Sequence, residues 1–160
     1  MPRLSLAPIP RAHDPISMDI SSEMVLLIED DPTLARLFCD ALEAAQISYL
    51  SANRADAVEA ASAVRPGLIV LDAGSYRMEG LGVLASLKRY PQTSDLPAAI
   101  LASNTERSVI ADLRAEGIVD YWTLPATSPG ILAERGAAWL EGHRSRAWPN
   151  TESRASGMRS

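Results

Sequence analysis

The chain has 160 residues, 47% of them hydrophobic and 22% charged, which is the composition of a globular protein with one domain and its own core. Its formal net charge of -5 argues against nucleic acid as the main partner, because phosphate binding calls for basic patches. No apolar stretch reaches the ~20 residues that a membrane-spanning helix needs, and the single cysteine, Cys39, cannot form an internal disulfide. We therefore predict a cytoplasmic protein without direct contacts to membranes or nucleic acid.

The two ends of the chain differ from its middle. Residues 1–23 are interrupted by four prolines and predict a flexible leader. Residues 145–160 are polar, contain Pro149, and predict a disordered tail. The folded domain is therefore expected over residues 24–144.

Strand and helix signals alternate through the first half of this domain. Residues 24–28 (MVLLI) predict the first strand, and Asp31 before a proline predicts the start of the first helix. Residues 47–50 predict a short second strand, and Asn53 is expected to cap the second helix. The run LIVL at residues 68–71 is apolar throughout, which indicates a central strand that is buried on both faces.

The second half of the domain repeats the alternation. Helices are predicted over residues 80–88 and 105–115 and from Ser128 onward, and strands over residues 97–102 and 119–122. Five strands that alternate with helices imply an α/β fold, a doubly wound five-stranded parallel sheet with helices on both faces.

Three carboxylates follow predicted strands, Glu29 and Asp30 after the first and Asp72 after the third. Because the carboxyl ends of parallel strands form the functional crevice of such a sheet, we expect these side chains to lie close together. Like charges at short distance call for a cation, and carboxylates with water are the ligands that Mg²⁺ prefers. A helix N-terminus also favours acids and explains Asp31 by itself, but it does not explain Asp72 on another strand.

Four stretches of the chain match a known family in order and spacing. They are VLLIEDDPTLARLF, RPGLIVLDAGSYRMEGLGVL, LPAAILAS and AEGIVDYWTLPATSPGIL. Through them, residues 24–144 resemble the receiver domain of bacterial two-component response regulators. The resemblance implies a flavodoxin-like, receiver-type version of the fold predicted above.

The resemblance also implies a phosphorylation switch. Asp72 would be the phosphoacceptor and would take a phosphoryl group from a sensor histidine kinase or a phosphotransfer protein. Glu29 and Asp30 would hold Mg²⁺ together with Asp72 and the backbone carbonyl of Gly74. The chain would then be a single-domain, non-enzymatic response regulator that signals through contacts with a downstream protein.

Receivers commonly present the face formed by the fourth helix, the fifth strand and the fifth helix to partners. In this chain that face is expected to include Tyr121, Trp122 and parts of residues 105–115 and 129–140. A homodimer through the same face is a further candidate, which no sequence feature establishes.

Three positions decide how far the switch is retained. Leu124 stands where the family has the Lys that pairs with the phosphoryl group, and Ala102 stands where the family has a Thr or Ser. Tyr121 keeps the aromatic residue that moves in the family's switch. Arg77 and Arg107 are candidates to supply the missing charge, although solvated surface arginines are the simpler interpretation.

Three functions therefore stay open. The first is a receiver that accepts phosphate on Asp72, and the second is a pseudo-receiver that binds partners regardless of phosphorylation. The third is a metal-dependent phosphohydrolase. The third is disfavoured because phosphatases with a strand-end Asp nucleophile need a second Asp two residues later, where this chain has Gly74.

Overall fold

The computed structural model describes residues 23–74, 78–103 and 106–147, with side chains as far as residue 143. Five strands and five helices alternate along these residues, and a short 3₁₀ helix, Arg54–Asp56, precedes the second helix. The strands are β1 Val25–Ile28, β2 Tyr49–Ala52, β3 Leu68–Gly74, β4 Ala98–Ala102 and β5 Asp120–Thr123. The helices are α1 Pro32–Ala44, α2 Ala57–Val64, α3 Leu81–Arg89, α4 Arg107–Ala115 and α5 Pro129–Ala147.

The strands form one parallel sheet in the order β2-β1-β3-β4-β5. Strand β3 lies at the centre, between β1 and β4, so the apolar run that ends in Asp72 is the middle of the sheet. This confirms the predicted doubly wound α/β fold. It also explains why β1 and β3 are apolar on both faces, because helices cover both sides of the sheet.

Each face of the sheet has its own core. On one face, α1 and α5 pack over alternate residues of β1 and β3, with Phe38, Leu42 and Leu132 among the buried side chains. On the other face, α2, α3 and α4 pack over the intervening residues, with Ala61 and Leu84 among those buried. The two-residue period of a strand thus divides the apolar residues between two separate cores.

Capping hydrogen bonds confirm the predicted helix starts at Asp31 and Ser128, whereas Asn53 caps the 3₁₀ helix that leads into α2 and not α2 itself. The Asp31 carboxylate accepts from the backbone N–H groups of the next turn at the start of α1, with N···O distances of 2.9 and 3.3 Å. The side chain of Asn53 accepts from Asp56, and Ser128 accepts from Ile131. These bonds satisfy N–H groups that a helix leaves without intrahelical partners.

Several predicted boundaries are wrong, among them the end of β3, which continues past Leu71 to Gly74 and so includes Asp72. Strand β2 begins at Tyr49 because the C-terminal turn of α1 continues to Ile47, whose N–H donates to the carbonyl of Leu42. Helix α5 continues to Ala147, past the boundary predicted at residue 144, because no proline interrupts it between Pro129 and Pro149. The leader and the rest of the tail lie outside the described residues. Within the described ranges, no helix is both long and apolar enough to cross a membrane.

Candidate functional site

Glu29 and Asp72 lie side by side at the carboxyl edge of the sheet. Strands β1 and β3 pair in the register Ile28 with Leu71, so the next residue of each strand, Glu29 or Asp72, faces its counterpart on the same side. Both carboxylates are buried, with exposures of 6% and 5%. The structure therefore brings together two of the three acids that the sequence singles out.

The surroundings of Glu29 favour its protonated form over the carboxylate anion. Burial and the adjacent Asp72 raise the pKa of Glu29 from 4.5 to about 8. Its Oε2 accepts from the Asp31 N–H at 3.2 Å, whereas its buried Oε1 has no hydrogen-bond partner among the described residues. A buried oxygen without a partner is costly, and a bound cation would relieve that cost.

The backbone around Asp72 is held by two glycines. The Gly74 N–H donates to Asp72 Oδ1 at 2.7 Å, and Gly74 has a φ of 96°, a conformation that favours glycine. The Gly80 N–H donates to the Ala73 carbonyl at 2.7 Å, and a Cβ on Gly80 would lie only 2.8 Å from the Asp72 carbonyl oxygen. Gly80, just before α3, is thus packed tightly against the end of β3.

Asp30, the third acid, is bound to an arginine that the sequence analysis did not single out. The Arg54 backbone N–H donates to Asp30 Oδ1 at 2.7 Å, and Arg54 Nε lies 3.7 Å from Asp30 Oδ2. Arg54 Nη2 also donates to the Asp72 carbonyl oxygen at 3.3 Å. Arg54 begins the 3₁₀ helix after β2, so its place at the same edge of the sheet was the signal that could have identified it.

Ala102 occupies the end of β4 and is fully buried. It pairs with Gly74 across the sheet, so a hydroxyl at this position would lie beside the loop that follows Asp72. Ser103 lies beyond the strand and is exposed. Residue 102 is therefore the strand position next to this loop, and an alanine there can donate no hydrogen bond.

Leu124 follows β5 and packs against the core formed by α1 and α5. Strand β5 is two strands away from β3, a distance of about 10 Å at the usual strand spacing. A lysine has a four-carbon stem to cross such a gap, whereas leucine brings neither the length nor the charge. Arg107 is exposed at the start of α4, and Arg77 lies outside the described residues.

Tyr121 and Trp122 do not form an exposed partner surface as the sequence analysis expected. Tyr121 is buried under the side of the sheet that carries α4, and Trp122 points to the other side and packs under α5. The correction follows from strand alternation, because neighbouring residues of β5 point into the two opposite cores. A contact surface at α4, β5 and α5 would have to be formed by exposed residues of the two helices, which the expected face also included.

Comparison with known proteins shows the family. The model of the response regulator receiver domain matches residues 25–134, and the chain belongs to this family. Among curated proteins, it is 29% identical over 106 residues to a protein-glutamate methylesterase/protein-glutamine glutaminase of Methanococcoides burtonii. That match covers 63% of this chain and 29% of the relative, so the chain spans less than a third of the relative's length.

Solved structures show the same fold. The signal receiver domain of a putative Luxo repressor protein from Vibrio parahaemolyticus superposes with a TM-score of 0.66 at 21% identity, covering 78% of this chain and 95% of the other. The Mn²⁺-bound form of response regulator Rcp1 superposes with a TM-score of 0.59 at 22% identity, covering 74% and 95% of the two chains. Identities this low establish the architecture alone.

The residues at the sheet edge fit a divalent cation in their chemistry. Two buried carboxylates lie together, and Glu29 Oε1 has no hydrogen-bond partner among the described residues, so this oxygen suits a hard cation that takes oxygen ligands. Within residues 23–74, 78–103 and 106–147, no three Asp, Glu, His or Cys side chains are grouped so as to hold a metal ion. The third carboxylate, Asp30, is instead engaged by Arg54.

Proposed function

We propose that this protein is a phosphorelay receiver that accepts a phosphoryl group on Asp72 and signals through contacts with another protein. The observation that carries the proposal is the buried pair of Glu29 and Asp72 at the carboxyl edge of the central strands. Two acids are not placed together in an apolar sheet for stability, because each raises the cost of ionising the other. Family membership supplies the reaction that such a pair supports.

In the proposed reaction, a carboxylate oxygen of Asp72 attacks the phosphorus of a phosphohistidine on a sensor histidine kinase or a phosphotransfer protein. The P–O bond forms as the P–N bond breaks, and the imidazole leaves with the electron pair. The Gly74 N–H holds Asp72 Oδ1 at 2.7 Å, which orients the carboxylate for the attack. Mg²⁺, held by Glu29, Asp30, Asp72 and the Gly74 carbonyl, would neutralise the charge of the transferred group.

The output of this switch is proposed to be a protein contact in the cytoplasm. The described residues form a receiver domain, and the formal net charge of -5 does not favour nucleic acid as a direct target. The face of α4, β5 and α5 remains the proposed contact for a downstream protein or a second copy, formed by exposed residues of the two helices.

A second candidate, a pseudo-receiver that binds partners regardless of phosphorylation, is favoured by two positions. Ala102 has no hydroxyl to report on a phosphoryl group, and Leu124 has no charge to pair with it. A lost charge-assisted contact is worth about 1.5–3 kcal/mol, so both the stability of the phosphoprotein and the conformational response would be reduced.

Intact mass spectrometry after incubation with acetyl phosphate separates the two candidates. The proposal expects an addition of one phosphoryl group that requires Mg²⁺ and disappears in Asp72→Ala. Asp40→Ala, which removes an exposed acid from α1, is the matched control and should be labelled like the wild type. Absence of labelling, with equal partner affinity for wild type and Asp72→Ala, would support the pseudo-receiver instead.

The same preparations test the phosphohydrolase alternative. A receiver that accepts one phosphoryl group per molecule does not turn over a phosphoester such as p-nitrophenyl phosphate. Sustained Mg²⁺-dependent release of p-nitrophenol, abolished in Asp72→Ala, would contradict the proposed non-enzymatic role.

A further inference from the structure

Arg54 brings a positive charge to the carboxylates, although Leu124 after β5 brings none. Arg54 enters from the loop after β2, on the side of β3 opposite to β5 and Leu124. Its side chain is 25% exposed, and its Nε atom is fully buried without a hydrogen-bond partner among the described residues. A guanidinium keeps its charge at any physiological pH, so this is a permanent positive charge beside the carboxylates.

Three contacts keep Arg54 in this place. Its backbone N–H and its Nε face the two oxygens of Asp30, at 2.7 and 3.7 Å, and its Nη2 donates to the Asp72 carbonyl at 3.3 Å. The absence of a side chain on Gly74 permits the approach, since a Cβ there would lie 2.9 Å from Arg54 Nη2. A Cβ on Gly74 would also lie 2.5 Å from Glu79 Oε2, so the Glu79 carboxylate lies on the same side of Gly74 as the guanidinium.

We propose that Arg54 is the resident cation of this site and competes with the divalent cation for Asp30. The inference rests on the proposed function, because that function assigns Asp30 to the metal. Asp30 Oδ2 lies 3.7 Å from Arg54 Nε on a side chain that is 49% exposed, so a divalent ion that takes Asp30 as a ligand competes with the guanidinium for this oxygen. An ion that binds beside Glu29 and Asp72 must also tolerate a positive charge nearby.

The contact of Arg54 with Asp30 and the positive charge of Arg54 both lower the affinity of the site for a divalent ion. A single and a double positive charge separated by several ångströms repel each other even in a solvated site, and the loss of that repulsion is worth about tenfold in binding. Removing the guanidinium also frees Asp30 Oδ2, while the backbone N–H of residue 54 can still hold Oδ1. Substitution of the side chain therefore tests the guanidinium and leaves the main-chain anchor of Asp30 in place.

The test is a titration of the full chain with Mn²⁺, in which free Mn²⁺ is counted by electron paramagnetic resonance, followed by competition with Mg²⁺. No phosphodonor is present, so the measurement is independent of phosphorylation. Arg54→Gln and Arg54→Ala should bind Mn²⁺ about tenfold more tightly than the wild type. Arg54→Lys keeps the charge and should stay within about threefold of the wild type.

Arg114→Ala is the matched control, since it removes the same charge from an exposed position in the last turn of α4, at the end of that helix away from the carboxyl edge of the sheet. Its affinity should remain within about twofold of the wild type, because solvent and salt screen a distant charge. Thermal unfolding of each variant confirms that it is folded. Damage to the fold would weaken metal binding, so a gain in affinity cannot come from structural disruption.

Equal or weaker binding by both Arg54→Gln and Arg54→Ala would overturn the inference and leave the proposed function intact. This outcome is identified when acetyl phosphate labels the wild type and the wild type and the Arg54 variants have equal metal affinities. If no variant binds Mn²⁺, the inference and the metal part of the proposed function both fail. If the wild type binds Mn²⁺ but is never labelled, the proposed function fails while the competition is still measured.

Discussion

The hydroxyl oxygen of Tyr121 lies 3.8 Å from the sulfur of Met78, and this contact joins strand β5 to the loop that follows Asp72. Both side chains are buried, and Met78 has a φ of 59°, in the left-handed region. Direct packing therefore connects Met78, which precedes α3, to strand β5, and this contact does not depend on a hydroxyl at position 102.

The Tyr121 ring is expected to contribute more to stability than its hydroxyl group. Tyr121→Ala should lower the free energy of unfolding by about 3–5 kcal/mol, because it leaves a cavity beside Met78. Tyr121→Phe keeps the ring and should cost about 1 kcal/mol. Urea unfolding of the two variants checks this, and similar stabilities for both would contradict the buried position of the ring.

Gly80 and Gly82 form a matched pair that tests the loop after Asp72. A Cβ on Gly80 would lie 2.8 Å from both Ala73 Cα and the Asp72 carbonyl oxygen, so Gly80→Ala should cost about 1–3 kcal/mol and slow the labelling of Asp72. A Cβ on Gly82 would meet nothing within 4 Å, and Gly82→Ala in α3 should stabilise the protein by up to about 1 kcal/mol. Urea unfolding and intact mass measure the two effects. Equal effects of the two substitutions would count against the tight turn.

Glu29 should make the metal-free protein less stable as the pH rises. With a pKa raised to about 8, the folded protein holds a proton that the unfolded chain releases near pH 4.5. The contribution of Glu29 to stability is therefore complete below pH 4.5 and is lost progressively up to about pH 8, with a slope of at most about 1.4 kcal/mol per pH unit. Mg²⁺ favours the carboxylate and should flatten this slope.

Glu29→Gln removes the titrating group and is expected to stabilise the metal-free protein at pH 8 by about 1–3 kcal/mol. Glu59→Gln, at an exposed position of α2, is the control and should keep the wild-type slope. The measurement is chemical unfolding at pH 5, 6.5 and 8 with EDTA or Mg²⁺. A wild-type slope in Glu29→Gln would show that another group is responsible.

Leu124→Lys should restore part of the missing phosphoryl contact. The new ammonium would enter from the side of β5, opposite to Arg54, and should lengthen the lifetime of the phosphoprotein severalfold. Leu124→Met, which has a long side chain without charge, should leave the lifetime unchanged. The decay of the phosphorylated mass after removal of acetyl phosphate gives both values. Equal lifetimes for the Lys and Met variants would mean that the lost charge does not limit the switch.

The positions of Glu29 and Asp72 were predictable from the sequence alone. Two apolar runs that end in acids, together with alternating helix signals, require parallel strands whose carboxyl ends meet at one edge. The caps at Asp31, Asn53 and Ser128 were equally predictable, because capping depends on neighbouring residues in the chain. Local chemistry and strand polarity determine these features before any long-range contact is known.

Other features depended on tertiary structure. The pairing of Arg54 with Asp30, 24 residues away along the chain, depends on how the loop after β2 lies against the end of β1. The burial of Trp122 depends on which face of β5 α5 covers, and the raised pKa of Glu29 depends on its burial beside Asp72. Sequence patterns report strand direction and local capping, whereas distances and desolvation arise only when separate strands and loops pack together. For this reason the sequence indicated which acids lie at the carboxyl edge of the sheet, and only the fold showed that Arg54 lies beside Asp30.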